Sequence, residues 1–332
     1  MSKDKVSLQQ FFLSEKTYRL TLIALALFGI VLRLRHYLAN RSLWLDEAML
    51  ALNILDRSFV ALTQQPMAYE QGAPIGFLFF AKGTTLLLGD SEYAFRFYSF
   101  LTGCAALLLM IFFTKRTLNK AGTLLAVALF ASGGYLVYYS AETKQYMGDV
   151  AATLILLLLF SRQLHHKFSH KEMMLFSVVN VGILWFSHAA VFVVASVGII
   201  LVLHYAIQKD KQGFRFAVLN LFLSGSSAIL LYWFHLRHLS ANVFLNSFWL
   251  EAFMPFPPNL RWFQDIWDGL LFDPLGLDVF PWVALALAIV GFVVLWRKSW
   301  QFGAAFLLTI FLTLVASGLQ KYPVAGRMLM FA

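Results

Sequence analysis

Apolar stretches of nearly membrane-crossing length recur along this chain, with Lys, Arg, Asp and Glu gathered between them. They lie near residues 20–36, 97–114, 121–138, 150–161, 173–187, 189–207, 214–236, 281–296 and 301–319. A spanning helix needs roughly 20 apolar residues, because lipid offers the backbone no hydrogen-bond partners. The pattern excludes a water-soluble globule, and the composition agrees: of 332 residues 60% are hydrophobic and 13% charged, with 34 Phe. The expected fold is all-α and polytopic, one transmembrane domain over residues 1–332 with about nine spanning helices.

A tenth run, 74–88, decides the threading. It holds Pro74, Lys82 and Gly83 within a stretch short for a span, and a charge at mid-bilayer is costly. Placed as an interfacial helix, it leaves Lys115, Arg116, Lys120, Arg162, Lys167, Lys171, Lys209, Lys211, Arg215, Arg297 and Lys298 on the side of the N-terminus, with Lys3, Lys5, Lys16 and Arg19. Basic loops favour the cytoplasm, so the N-terminus is expected inside a bacterial inner membrane. Arg33 and Arg35, near the outer end of the first span, run against that rule. The outer face then receives 37–95, with its juxtamembrane helices, 139–149, and the long loop 237–280, which MPFPPN and FDPLG punctuate with turns. All but four of the 17 carboxylates (Asp4, Glu15, Glu172 and Asp210) fall on this periplasmic or extracellular side. Any chemistry faces outward.

The net charge of +9 needs no nucleic acid, since basic inner loops account for it and no basic patch is interleaved with exposed aromatics. The single Cys104 allows no internal disulfide. The polar N-terminus lacks a cleavage site ahead of the first apolar run, so that run reads as an anchor. At the other end, GRMLMFA stops as an apolar run begins, and reads as a chain that is longer in its relatives. His165, His166 and His170 lie on the basic inner side as a solvated loop. There is no GxxxxGK[ST] loop, HExxH or paired CxxC.

Three outer clusters could carry chemistry. Asp46 and Glu47 follow Trp44 at the start of a helical pattern; adjacent carboxylates diverge on a helix, so one can enter a site while the other caps the N-terminus. Glu142 and Asp149 lie seven apart, two turns on one face, near Lys144 and Tyr146. Lys321, Tyr322 and Arg327 offer cations for an anion such as phosphate. Lys82, Arg96 and Arg261 are weaker candidates of that kind. His188, between two apolar runs, is a candidate site-lining group.

These pieces resemble the GT-C glycosyltransferases, specifically the bacterial family 39 group related to protein O-mannosyltransferases and the lipid A aminoarabinose transferase. The carriers are WLDEA; GAPIGFLFFAKGTTLLLGDSEYAFRFYSFLTG, similar to P-L…G-x-S-E-x-x-x-R-x-x-S; YYSAETKQYMGD, similar to Y-S-x-E-x-R-x-Y; and KYPVAGRMLMF, similar to Y-P-x-x-x-R. Lys144 stands where many relatives have Arg, and the final helices of the family are missing after Ala332. The resemblance implies Asp46, paired with Glu47, beside the acceptor, Glu142 as the second acidic position, and Lys321 or Arg327 on the lipid phosphate of the donor. It implies transfer of a sugar from a polyprenyl-phosphate donor to a hydroxyl of a lipid, glycan or protein, with inversion at the anomeric carbon. Lys82, Arg96, Lys144, Tyr146, His188 and Tyr322 would line the substrate site. No cofactor is required, although a divalent ion held by Asp46, Glu142 and Asp149 fits the oligosaccharyltransferase branch. The rival reading is a transporter or lipid flippase, which would place ionisable groups at mid-membrane on broken helices.

Overall fold

The computed structural model describes residues 14–166, 169–277 and 280–331, and no strand occurs among them. The lead helices are α1 (Glu15–Leu38), α2 (Leu45–Asp56), α3 (Phe59–Gln64), α4 (Ile75–Leu88), α5 (Glu92–Thr117), α6 (Lys120–Ser132) and α7 (Gly134–Tyr139). There follow α8 (Tyr146–His165), α9 (His170–Phe186), α10 (Ala190–Ile207) and α11 (Lys211–Ser240), the last through one π turn at Tyr232–Leu236. The remainder comprises α12 (Val243–Phe248), α13 (Leu260–Leu270), α14 (Pro281–Lys298) and α15 (Trp300–Gly318). Seven of these, α1, α5, α8, α10, α11, α14 and α15, are long and apolar enough to cross a membrane. The other two expected spans are shorter, because α6 stops at Ser132 and α9 has 17 residues.

The starts are written in polar residues. Ser14, Ser91 and Asn119 each accept a backbone N–H three residues on, and Ser169 with Glu172 forms a capping box. Lys115 and Arg116 close α5, and Arg297 and Lys298 close α14, where the helix dipole favours cations.

One helix organises the bundle. α8 packs against α5 on one side and α10 on the other; α5 carries α1, α4 and α6, and α10 carries α11 and α15. The approach of α5 to the α8 region depends on glycine. A Cβ on Gly148 would lie 2.3 Å from the Tyr98 hydroxyl, and one on Gly103 would lie 2.2 Å from Ser140 Oγ. Arg33, which the inner-positive rule could not place, is fully buried, and donates to the carbonyls of Gly29, Phe130 and Ala131. It thus satisfies carbonyls freed where α6 ends.

The loop read as 237–280 contains more regular structure than its turns suggested. α13 sorts Trp262, Phe263, Ile266 and Trp267 from Arg261, Gln264, Asp265 and Asp268, an amphipathic pattern suited to a membrane surface. Beyond it, Asp273 reaches back to the end of α7, where both its oxygens accept from the Tyr139 hydroxyl at 2.8 and 2.6 Å.

Candidate active site

Four segments distant in sequence converge at one end of the bundle: the start of α2, the turn before α4, the link between α7 and α8, and the stretch after α15. The adjacent acids of α2 diverge. Glu47, fully buried, turns back and accepts from the Trp44 backbone at 3.4 Å, a capping contact. It also takes both prongs of Arg96, Nε at 3.0 Å and Nη2 at 2.8 Å, and the Thr143 N–H at 2.7 Å. Arg96 further donates to the Arg41 carbonyl at 2.6 Å. This pair ties α2 to α5 and to the α7–α8 link, and touches no open space.

Asp46 points the other way, into a ring of donors. Lys144 Nζ and Gln71 Nε2 each lie 3.0 Å from Oδ1, and Arg327 Nη2 lies 3.0 Å from Oδ2. Lys144 also donates to Gln71 Oε1 at 2.9 Å. Gln71 is aimed by the backbone: Tyr69 and Glu70 both take left-handed conformations, with φ of 59° and 55°. Such conformations cost L-residues roughly 1–2 kcal/mol each, strain typical of functional sites.

Arg327 joins the second acid. Its Nη1 lies 3.4 Å from Glu142 Oε1, which also accepts from the Trp44 indole at 3.0 Å. The guanidinium is 5.3 Å from the ring centres of both Trp44 and Tyr146, a cation held between aromatic faces. Arg41 braces the same wall, donating to Tyr138 Oη at 2.7 Å and to the Ala141 carbonyl at 3.3 Å.

Electrostatics separate the two acids. Burial pushes the Asp46 carboxyl up, but Lys144, Gln71 and Arg327 outweigh it and hold it below the usual carboxylate range. Burial dominates at Glu142, raising it to about 7 against the pull of Arg327 and with help from Glu47. Burial also lowers the Lys144 ammonium, against the pull of Asp46.

The other candidates fall in three places. Tyr322 donates to the Met328 carbonyl at 2.7 Å and packs its ring on Phe192 and Phe331, shaping the turn that presents Arg327. Asp149 is buried one turn below Tyr146, beside Ser187, and His188 stacks near His235, whose Nε2 donates to the Ala73 carbonyl at 2.9 Å. Lys82 is spent on the Leu55 carbonyl at 2.9 Å, and Lys321 is exposed and outside the network. Gln71, Trp44, Arg41 and Asp273 were given no role from sequence. Only Trp44, two residues before Asp46, carried a local signal. No group of three or more His, Cys, Asp or Glu among the described residues is arranged to hold a metal ion.

The fold and the site define a polytopic helical membrane protein with a largely buried cluster of paired acids and cations at one end. The family described as dolichyl-phosphate-mannose-protein mannosyltransferase matches residues 72–250, and the chain belongs to it, which makes it a membrane glycosyltransferase. Glu142, Lys144 and Tyr146 lie within the match; Asp46 and Arg327 flank it. Neither the curated proteins nor the solved structures offer a match.

Proposed function

We propose that this chain transfers a sugar from a polyprenyl-phosphate donor to a hydroxyl acceptor on the periplasmic or extracellular face of the inner membrane, inverting the anomeric centre. One observation carries the reading: a single guanidinium, Arg327, bridges Asp46 and Glu142 across 281 and 185 residues of chain. A phosphate-linked sugar already has a good leaving group. The protein needs a carboxylate to orient and deprotonate the acceptor, and cations to stabilise the departing phosphate.

Asp46 is the base. Its carboxylate is 23% exposed, whereas that of Glu142 is fully buried and held by an indole. Arg327 and Lys144 bind the phosphate. An inverting displacement places base and clamp on opposite sides of the anomeric carbon, so the Arg327–Asp46 contact opens to admit the sugar. Moving Arg327 onto phosphate takes a counterion from Asp46 and raises its pKa, making it a stronger base when the donor is seated. Glu142 Oε2, Gln145 Oε1 and Asp149 Oδ1 are buried acceptors without a protein donor among the described residues. The hydroxyls of a sugar supply what such acceptors need. The cation between Asp46 and Glu142 is an arginine, which can itself supply positive charge to the departing phosphate.

Asp46→Asn tests the assignment. In membranes supplied with polyprenyl-phosphate sugars the variant loses transfer while expression and donor binding persist; undiminished transfer defeats the role given to Asp46. The anomeric configuration of the product, read by NMR, tests inversion.

A further inference from the structure

At the end of α8 opposite the acidic cluster, roughly 29 Å away at 1.5 Å per residue, the ends of α8, α9, α10 and α11 meet. They enclose a cavity of about 240 Å³ lined by Gln163, His165, His204, Tyr205, Asp210 and Gln212, with Leu164 and Met173 at its apolar side. Gln163 is 3% exposed, yet neither its Oε1 nor its Nε2 has a protein partner among the described residues. A buried amide left unpaired is costly, so such a group calls for something polar in the cavity.

The lining specifies the charge of that group. The 3.2 Å contact of His204 Nδ1 is with the Gln301 amide nitrogen, which donates to it and leaves the hydrogen on Nε2 as a donor. Asp210, the acid among the residues lining this cavity, already accepts from the Gln212 and Gly213 N–H groups at 3.1 Å. Lys209 and Lys211 on either side of it are exposed. His165 Nδ1–H is spent on the Ser161 carbonyl, so the His204 N–H, the Tyr205 phenol and the Gln163 and Gln212 amides are the donors of the lining, and with two exposed lysines flanking Asp210 they favour an anion with several acceptor oxygens. The position, a bilayer's thickness from the acidic cluster, puts the cavity at the other membrane surface, where lipid phosphates lie.

We propose that this cavity is a phosphate-binding site, of a size to take the headgroup of an anionic phospholipid. It stands apart from the sugar-transfer reading and survives the failure of that reading. The purified full chain in detergent is titrated with phosphatidylglycerol, with diacylglycerol of the same tails and with inorganic phosphate, and retention is read by native mass spectrometry. Phosphatidylglycerol is expected to be retained at least tenfold more tightly than diacylglycerol, and about tenfold more weakly by Gln163→Leu. That substitution removes the unpaired amide while keeping an apolar side chain of similar size, and a thermal melt confirms that it folds. Displacement of the lipid by millimolar inorganic phosphate supports the phosphate site and assigns it to a soluble source. Equal retention of diacylglycerol, or undiminished binding by Gln163→Leu, overturns the proposal.

Discussion

Arg327 lies 3.0 Å from Asp46, and the same guanidinium reaches Glu142 at 3.4 Å while resting between the rings of Trp44 and Tyr146. One planar cation thereby sets the spacing of two acids. Lysine cannot reproduce that geometry, because an ammonium is a point charge without a fork. Arg327→Lys should lower sugar transfer roughly 10- to 100-fold, the equivalent of the 1.5–3 kcal/mol carried by a charged hydrogen bond. Lys321→Ala, six residues earlier and exposed, should leave the rate within twofold. Initial rates of both variants in the same membranes make the comparison.

The Glu47–Arg96 pair predicts a stability phenotype. Both side chains are almost fully buried, and removing one partner from such a pair typically costs about 3–5 kcal/mol. Glu47→Gln and Arg96→Met should each lower the thermal midpoint in detergent by many degrees. The double variant Glu47→Gln/Arg96→Met should recover part of the loss, since no uncompensated charge remains. A double variant no more stable than Arg96→Met alone contradicts this account.

Glu142 makes a prediction about pH. Its folded pKa of about 7 exceeds the ordinary glutamate value of 4.5, so between these values the folded chain holds a proton that the unfolded chain has released. Stability from this group is present below pH 4.5, declines by about 3 kcal/mol as pH rises, and levels off above pH 7. Asp46, held low, acts oppositely: its contribution is present above its unfolded pKa and is lost in acid. Ionised Glu142 keeps Arg327 in place, so transfer should rise through pH 7. That limb should disappear in Glu142→Gln, as rate profiles between pH 5.5 and 8.5 can establish.

Gly103 predicts a packing effect at a distance from any charge. A methyl there meets Ser140 Oγ at 2.2 Å and Ser140 Cβ at 2.7 Å, so the α7–α8 link must move outward. Gly103→Ala should cost about 1–3 kcal/mol through overpacking and misplace Glu142 and Lys144. Transfer should fall more than the melting midpoint alone explains. Measuring both on one preparation separates the two effects.

The helical bundle was legible because lipid enforces a coarse rule, apolar length, that a single sequence displays. Asp46, Glu142 and Arg327 could be picked out for a related reason: charges are scarce in such a chain and those at its edges stand out. Pairing was not legible. Glu47 reads from sequence as completing the acid pair with Asp46 and Arg96 as lining the substrate site, and only the fold, which brings the start of α2 to the start of α5, joins them in an ion pair. Gln71 left no trace, since its aim depends on two left-handed residues, Tyr69 and Glu70, neither of which is a glycine or asparagine. The same holds for Arg33, whose burial reflects where α6 ends rather than any feature of its own helix. The loop 237–280 was read by its prolines, although the apolar spacing of 260–270 was there to find.

The contact between Asp46 and Arg327 also bears on biosynthesis. Asp46 emerges from the ribosome early, whereas Arg327, one of the two cations that hold its carboxyl low, is made 281 residues later. Until the stretch after α15 is synthesised and docked, a nascent chain holds Asp46 with Lys144 alone as its cation and Glu142 without the guanidinium. The full set of contacts around the two acids therefore assembles only once residue 327 has been made, however early the helices before it insert.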